Sequence, residues 1–266
     1  MPGEAGAVHH VHWHEWGEAG RPEALMIHCA LSSGRAWAGV AEHLGRDLHM
    51  TAFDLPGHGR SASWNGERDY HALATANAAQ FCATPRHVIG HSLGATIALR
   101  LALERPECVK SLVLIEPVLF AAARGTAGFD EEETAMRPFV EAMERGDHAA
   151  AARAFTGRWG GGQPWEALPE AQREYMIARI GLIPATRAVL YEDAAGLLAP
   201  GRLEALQCPV LFLEGERSPP VIGEIGAALE ARMPRMRRRV IKGAGHMLPI
   251  THAPEAAWEI RTFIRV

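Results

Sequence analysis

The chain has 266 residues, 48% of them hydrophobic, so it is long enough for one large α/β domain with an insertion or for two smaller domains. Its formal net charge of −4 argues against nucleic acid or an anionic membrane surface as the main partner, and its apolar runs are too short to predict a membrane-spanning helix. The four cysteines lack C-x-x-C spacing and no signal-peptide pattern is evident, which predicts reduced thiols and a cytoplasmic protein.

A histidine-rich stretch comes first. The alternating polarity of Val8 to Trp16 predicts a strand or a pair of strands at a sheet edge. His10, His12 and His14 share one face of such a strand, because side chains alternate with a period of two. Three imidazoles at this spacing suit a metal ion, but no obvious carboxylate or cysteine completes a ligand set. We therefore predict a solvated or aromatic-packed edge and no metal site.

Apolar strands then alternate with helices as far as residue 116. Four segments predict strands: 23–28, 49–53, 88–90 and 109–115. Three segments predict helices: 35–44, 70–82 and 93–104. Continuous apolar strands separated by helices are typical of a parallel sheet that is covered on both faces.

The alternation stops after residue 116 and resumes near residue 207. Between Leu119 and Leu206 the pattern predicts helices but no strand. The glycine triplet Gly160–Gly162 in this region is either the hinge of a lid or a surface loop. Strands are predicted again at 209–213 and 236–241, and a last helix at 254–263. The final strand adjoins a basic cluster that discourages pairing at a sheet edge: Arg235, Arg237, Arg238 and Arg239.

The most informative stretch is His87 to Leu99, where an apolar strand turns into an Ala- and Leu-rich helix through the pattern G-x-S-x-G. A side chain exposed at such a tight turn sits on a strained backbone, so its neighbours must be nearly bare. Gly90 and Gly94 meet this requirement on either side of Ser92. The N-terminus of the following helix favours negative charge at the serine. The pattern therefore predicts a nucleophilic serine.

Four segments, in this order along the chain, resemble the α/β-hydrolase superfamily. His28-Cys29-Ala30 resembles the family's oxyanion segment, and residues 54–61 match its D-x-P-G-x-G-x-S loop. Residues 90–94 match the family's nucleophile elbow, the tight strand-to-helix turn described above, and residues 243–246 resemble its late G-x-G-H loop. The resemblance extends from about Val8 to the C-terminus.

The resemblance implies an α/β fold with a largely parallel eight-stranded sheet flanked by helices. It implies a core domain of residues 1–116 and 207–266, with a helical cap of residues 117–206. It further implies a cofactor-free enzyme that acts on a small molecule. The oligomeric state cannot be read from the sequence.

The resemblance also assigns roles to individual residues. Ser92 would be the nucleophile and His246 the general base that takes its proton. The backbone N–H groups of Ala30 and Leu93 would form the oxyanion hole. Cys29 departs from the pattern, because the family usually has glycine at that position.

Other histidines lie close to these motifs. His91 is adjacent to the serine, but neighbouring side chains on an elbow point apart. His252 is expected on the loop that follows the base. His28 is expected to orient the oxyanion loop, and His58, with Arg60, to fix the loop after Asp54.

The acid that would complete the triad is less obvious, because Ser218 stands in the position where most relatives have aspartate. Glu116 directly follows the strand next to the elbow strand and ends at the same rim of the sheet, so we predict that it is the acid. The alternative is a carboxylate that caps nearby backbone. Glu216 is two residues early for the usual position, and Asp193 would need an unusual fold-back to reach the histidine.

These residues predict a serine hydrolase that cleaves an ester, thioester or lactone through an acyl-enzyme. Two alternatives remain open. One is elimination or C–C cleavage on a small carboxylate with the same Ser–His pair, in which Arg124 or Arg187 would bind the carboxylate. The other is a ligand-binding relative that has lost catalysis, which Ser218 and Cys29 suggest.

Overall fold

The computed structural model describes residues 10–265. Within this range seven strands form one sheet in the order β1-β3-β2-β4-β5-β6-β7. The strands are β1 (Trp13–Trp16), β2 (Glu23–Ile27), β3 (His49–Phe53), β4 (Arg86–His91), β5 (Val109–Ile115), β6 (Val210–Gly215) and β7 (Met236–Ile241). The described residues therefore contain seven of the eight strands expected, and Val8 and His9, which begin the predicted first strand, lie outside them.

Eleven α-helices accompany the sheet in residues 10–265. They are α1 (Ala38–Leu44), α2 (Tyr70–Ala79), α3 (Leu93–Glu104), α4 (Ala127–Ala135), α5 (Arg137–Glu144), α6 (His148–Trp159), α7 (Glu170–Ile177), α8 (Arg187–Glu192), α9 (Pro220–Glu230), α10 (Leu248–Thr251) and α11 (Ala253–Ile264). Helix α2 begins where the Asp69 carboxylate accepts the Ala72 N–H, and it ends three residues earlier than predicted. Residues 80–82 continue only as tight turns.

The sheet is parallel except for β1, which pairs antiparallel with β3. Side chains of each central strand alternate between its two faces, so that Val88 of β4 packs on one side and Ile89 on the other. Helices α1 and α11 cover the Ile89 side, and α2, α3 and α9 cover the Val88 side. The expectation of a parallel sheet covered on both faces is confirmed.

Strands β2 and β4 are neighbours, but the next strand in the chain after each of them lies in the opposite direction along the strand order. After β2 the chain continues to β3 on one side, and after β4 it continues to β5 on the other. Such a switch point opens a crevice at the carboxyl ends of the strands, where ligands bind in open α/β sheets. Ala30 follows β2 and Ser92 follows β4, so both lie at this crevice.

A helical insertion of residues 117–206 joins β5 to β6. It contains helices α4 to α8 and no strand, as the sequence predicts. Helix α4 packs against α9, and helices α6 and α7 pack against each other. Within residues 10–265 no helix is long and apolar enough to cross a membrane.

The arginine cluster lies at the β7 edge of the sheet, as predicted. Arg238 Nη2 donates to Glu214 at 2.8 Å, and Arg235 donates to the carbonyl of Gln207. Arg237 and Arg239 remain on the edge strand itself. All four cysteines are free thiols, as expected, and burial raises the pKa of the Cys29 thiol to about 12.

Candidate active site

The elbow serine stands at the sharp turn between β4 and α3. Ser92 has φ of 56° and ψ of −118°, a strained conformation for a residue with a side chain. A Cβ on Gly90 would lie 2.3 Å from the Gly94 carbonyl oxygen, across the turn. A Cβ on Gly94 would lie 2.2 Å from the carbonyl oxygen of Ile27 in β2. The absence of a side chain at Gly94 therefore allows the turn to lie close to β2. Both glycines are therefore required, Gly90 by the turn itself and Gly94 by the neighbouring strand β2.

His246 reaches Ser92 from 154 residues further along the chain. Its Nε2 lies 3.0 Å from Ser92 Oγ, and its Nδ1 lies 3.0 Å from Glu116 Oε2. Because a carboxylate oxygen can only accept, Nδ1 carries the proton and Nε2 is free to accept the Ser92 hydroxyl. This is the arrangement that a general base needs.

Glu116 is fully buried at the end of β5. Its Oε1 accepts two further hydrogen bonds, from the Gly215 N–H at 2.6 Å and from Ser218 Oγ at 2.7 Å. Three donors therefore surround one buried carboxylate, which is how a protein compensates for the loss of its hydration. The residue has a positive φ of 53°, which is uncommon outside glycine.

The residue in the usual acid position has a clear role in the structure. Ser218 turns its hydroxyl toward Glu116 and donates to Oε1, so it supports the carboxylate. Glu216 points elsewhere, as predicted, and accepts the Gly243 N–H at 2.8 Å. Asp193 stays in the insertion, where it accepts the N–H groups of Leu197 and Leu198.

A second histidine, His91, holds the loop that carries His246, which we call the base loop. Sequence reasoning missed this contact. The Nε2–H of His91 donates to the backbone carbonyl of His246 at 2.8 Å, and the two rings lie 5.2 Å apart. Burial lowers the pKa of His91 to about 3, so it stays a neutral donor. The signal that the sequence offered for this residue was its position directly before Ser92. His252, the other candidate base, instead contacts Thr251.

The predicted oxyanion residues lie on the same cavity as the nucleophile. Ala30 and Leu93 line it together with Ser92. Within residues 10–265 the backbone N–H groups of Ala30 and Leu93 donate to no other group, whereas the next N–H, of Leu31, is used by His58 Nε2 at 3.0 Å. Cys29 is buried beside this loop.

Two buried histidines fix the loops after β2 and β3. His28 Nδ1–H donates to the Cys29 carbonyl at 2.7 Å, and its Nε2 accepts the Leu55 N–H at 2.9 Å. His58 Nδ1–H donates to the Pro56 carbonyl at 3.0 Å. Burial lowers the pKa of His28 to about 4 and that of His58 to about 3. Both rings are therefore neutral cross-links between the loops, as the sequence suggested.

The histidine-rich edge gains a carboxylate that the sequence did not indicate. Asp54 joins His12 and His14 in a cluster whose potential ligand atoms lie within 4.8 Å of one another. The Asp54 carboxylate is already an acceptor for Gly34 N–H at 2.7 Å, Arg60 N–H at 2.9 Å and His12 Nδ1 at 3.2 Å. The Asp54 carboxylate thus holds the loop after β3 to His12, which directly precedes β1, and to Gly34.

A cavity of about 540 Å³ opens onto Ser92. Its walls come from the crevice and from α4, α5, α6 and α8 of the insertion. Most of the lining is apolar: Val118, Phe120, Met136, Phe139, Val140, Met143, Phe155, Trp159, Ile183, Pro184 and Leu190. Four charged side chains also contribute to the lining: Glu133, Arg137, Glu144 and Arg187. Ser92 therefore faces an apolar cavity large enough for a small ligand.

A parallel sheet with a strained serine at a switch point, hydrogen-bonded to a histidine, defines a protein of the hydrolase class. The family model described as the alpha/beta hydrolase family matches residues 24–259. The chain belongs to this family.

The relatives agree in length as well as in sequence. The chain is 30% identical over 265 residues to Lipase LipV of Mycobacterium tuberculosis, covering 95% of this chain and 97% of the relative. It is 33% identical over 255 residues to the pimeloyl-[acyl-carrier protein] methyl ester esterase of Methylococcus capsulatus, covering 91% and 94%. A putative lipase from Acinetobacter baumannii has the same fold, with a TM-score of 0.76 and 20% identity over 96% of this chain and 87% of that one.

Proposed function

We propose that this protein is a serine hydrolase that cleaves a small carboxylic ester, thioester or lactone through an acyl-enzyme on Ser92. The observation that carries the proposal is the pair of 3.0 Å hydrogen bonds that links Glu116 through His246 to Ser92. Ester hydrolysis is the activity supported by the family and by relatives that include a lipase and a methyl ester esterase.

The proposed chemistry assigns one task to each group. Ser92 Oγ attacks the carbonyl carbon while His246 Nε2 takes the hydroxyl proton, and Glu116 stabilises the resulting imidazolium. The N–H groups of Ala30 and Leu93 bind the oxygen that becomes negative, a contact whose loss typically costs about 100- to 1,000-fold in rate. His246 returns the proton to the leaving group, and water then repeats the sequence on the acyl-enzyme.

The substrate we propose has an apolar acyl or alkyl part. The cavity beside Ser92 is lined by aliphatic and aromatic side chains of the insertion, so burial of hydrocarbon would supply the binding energy. Substrates with longer hydrocarbon chains should therefore have lower KM values until the hydrocarbon fills the cavity.

We also propose that the helical insertion, residues 117–206, is a cap, and that residues 1–116 and 207–266 form the core domain. The division is supported by the helices that replace strands between β5 and β6 and by the cavity between them and the elbow. On this division the core supplies the reacting groups and the cap supplies the pocket.

A fluorophosphonate probe tests the nucleophile directly. We expect rapid, stoichiometric labelling of the wild-type protein and none of Ser92→Ala, together with hydrolysis of p-nitrophenyl esters by the wild type alone. Slow or absent labelling of the folded wild type would support the ligand-binding alternative instead. A screen of acyl chain length and lactone ring size then defines the substrate.

The C–C hydrolase or lyase alternative is favoured by one observation, namely that Arg187 and Arg137 line the cavity and can attract a carboxylate. Arg124 is instead bonded to the Tyr191 carbonyl. Turnover of a small carboxylate with stoichiometric release of an enol or pyruvyl product, and without an ester burst, would identify this reaction. Arg187→Gln should then raise KM for the carboxylate but not for a neutral ester.

A further inference from the structure

A buried carboxylate of the insertion takes no part in the Ser–His–Glu arrangement. Glu132, in α4, is fully buried, with a relative exposure of 0%. Its Oε2 accepts Arg158 Nε at 2.8 Å, and its Oε1 accepts the Trp159 indole N–H at 3.2 Å. Burial raises the pKa of Glu132 to about 7, against the opposing effects of Arg158 and Trp159. An apolar residue would avoid this desolvation cost, so the carboxylate calls for a specific explanation.

Trp159 connects this carboxylate to the active site. Its ring centroid lies 4.5 Å from that of His246, with the two planes inclined at 68°. The same indole lines the cavity that opens onto Ser92. Thus a side chain of the insertion packs against the ring of the proposed base, and Glu132 accepts a hydrogen bond from the polar end of that side chain.

The backbone after Trp159 makes a second contact with the base loop. A Cβ on Gly160 would lie 2.4 Å from the Thr156 carbonyl oxygen, so the chain turns tightly as α6 ends. Gly161 has φ of +80°, and a Cβ there would lie 3.1 Å from the Cβ of Met247, the residue after His246. Gly161, the middle residue of the glycine triplet, therefore permits a close approach between the insertion and the base loop.

We propose that Glu132 is a positioning residue for the hydrolysis, acting through Trp159: by holding the indole against His246, it keeps the imidazole aligned with Ser92. The inference rests on the proposed function. Without an acceptor the indole N–H would turn toward water, leaving space beside the imidazole. Misalignment of a general base lowers the rate of the chemical step more than the affinity for substrate.

Four variants test this contact. Glu132→Leu removes the acceptor at similar volume, whereas Glu132→Gln keeps an oxygen for the indole. Glu131→Gln is the matched control, because Glu131 also binds Arg158, at 3.1 Å, but does not touch Trp159. Trp159→Phe keeps an aromatic ring and removes the donor.

We expect Glu132→Leu to lower kcat about tenfold per titratable active site, with KM for a short ester within about twofold. Glu132→Gln and Glu131→Gln should stay within about threefold of wild type. Combining Glu132→Leu with Trp159→Phe should cost no more than the larger single change, since both act on one contact. Active sites are counted with the fluorophosphonate probe, and thermal melting confirms folding.

The proposal is overturned if folded Glu132→Leu keeps the wild-type kcat, or if the two changes combine additively. Should Glu132→Leu fail to fold, Trp159→Phe decides alone: a lower kcat at unchanged KM supports the proposal, and an unchanged kcat rejects it. The proposed function is tested separately, because its failure would appear as wild-type protein that neither labels nor hydrolyses esters.

Discussion

At the residue scale, the acid of the proposed triad shows how geometry can be kept while sequence position changes. Glu116 directly follows β5, which lies between β4 and β6 in the sheet. Ser218, in the usual position, donates to Glu116 Oε1. A carboxylate at the end of β5 is thus supported by a hydroxyl group that follows the end of the neighbouring strand β6.

Replacing Glu116 with glutamine should be severe. An amide cannot stabilise the imidazolium and can favour the wrong tautomer of His246, so we expect kcat for an ester to fall by on the order of 1,000-fold or more. Steady-state kinetics on folded variants measure this. Glu216→Gln is the control and should stay within about twofold, because its partner is the Gly243 N–H. The reverse ranking would show that Glu116 is not the acid.

A second change tests whether the position of Ser218 still serves the site. We expect Ser218→Asp, added to Glu116→Gln, to restore part of the lost kcat, because the 2.7 Å contact places residue 218 beside the groups that surround His246 Nδ1. A gain of about tenfold over Glu116→Gln alone corresponds to about 1.4 kcal/mol of barrier. No gain in a folded, Ser92-reactive double variant would mean that the backbone at residue 218 does not bring a carboxylate to His246.

At the element scale, the elbow depends on how closely β4 and α3 approach β2. The Cα of Gly94 faces the carbonyl groups at the end of β2, which leaves no room for a methyl group. Helix α3 can then direct its N-terminus at Ser92. The packing of three elements, and not only the local turn, sets the position of the nucleophile.

Gly94→Ala should therefore destabilise the protein by at least about 2 kcal/mol, because backbone atoms 2.2 Å from the new Cβ must move. Gly157→Ala, in α6, is the matched control. Its Cβ would meet nothing within 4 Å, so removing a helical glycine should stabilise by about 0.5–1 kcal/mol. Denaturant unfolding measures both changes. Equal stability of the two variants would contradict the close approach.

At the scale of the whole molecule, several histidines are buried as neutral rings that cross-link loops and helices. Burial is the largest cause that lowers the pKa of His28 to about 4 and those of His58, His71 and His91 to about 3. The unfolded chain takes up these protons near pH 6.5, whereas the folded protein does not. Their contribution to stability is therefore complete above pH 6.5 and is lost as pH falls toward 3–4.

We expect the free energy of unfolding to decrease as the pH falls from 7 to 5.5, by up to about 1.4 kcal/mol per pH unit for each such histidine. His71→Gln should reduce this slope, because the amide can still donate to Thr96 Oγ1 in place of the ring Nε2–H but does not titrate. Exposed His43→Gln is the control. A slope that is the same in wild type and His71→Gln would exclude His71 as a source of the acid sensitivity.

The sequence alone determined most of the framework. Hydrophobic periodicity identified β3, α3 and β5 with the bounds that the structure gives them, because each is a locally encoded apolar pattern. The bounds of β7 were also predicted correctly, although three of its six residues are arginine. The G-x-S-x-G pattern identified Ser92 and its turn, since the steric demand of that turn is local. The early end of α2 and the close approach of Gly94 to β2 were not predicted, because they depend on contacts outside each segment.

Only the tertiary structure decided which groups meet. Glu116 and His246 are 130 residues apart, and their 3.0 Å contact depends on the order of β4, β5 and β6 in the sheet and on the positive φ at Glu116. The contacts of Ser218, His91 and Trp159 with this site likewise join distant segments. A sequence pattern records what each segment requires of itself, whereas distances between segments follow from packing of the whole chain.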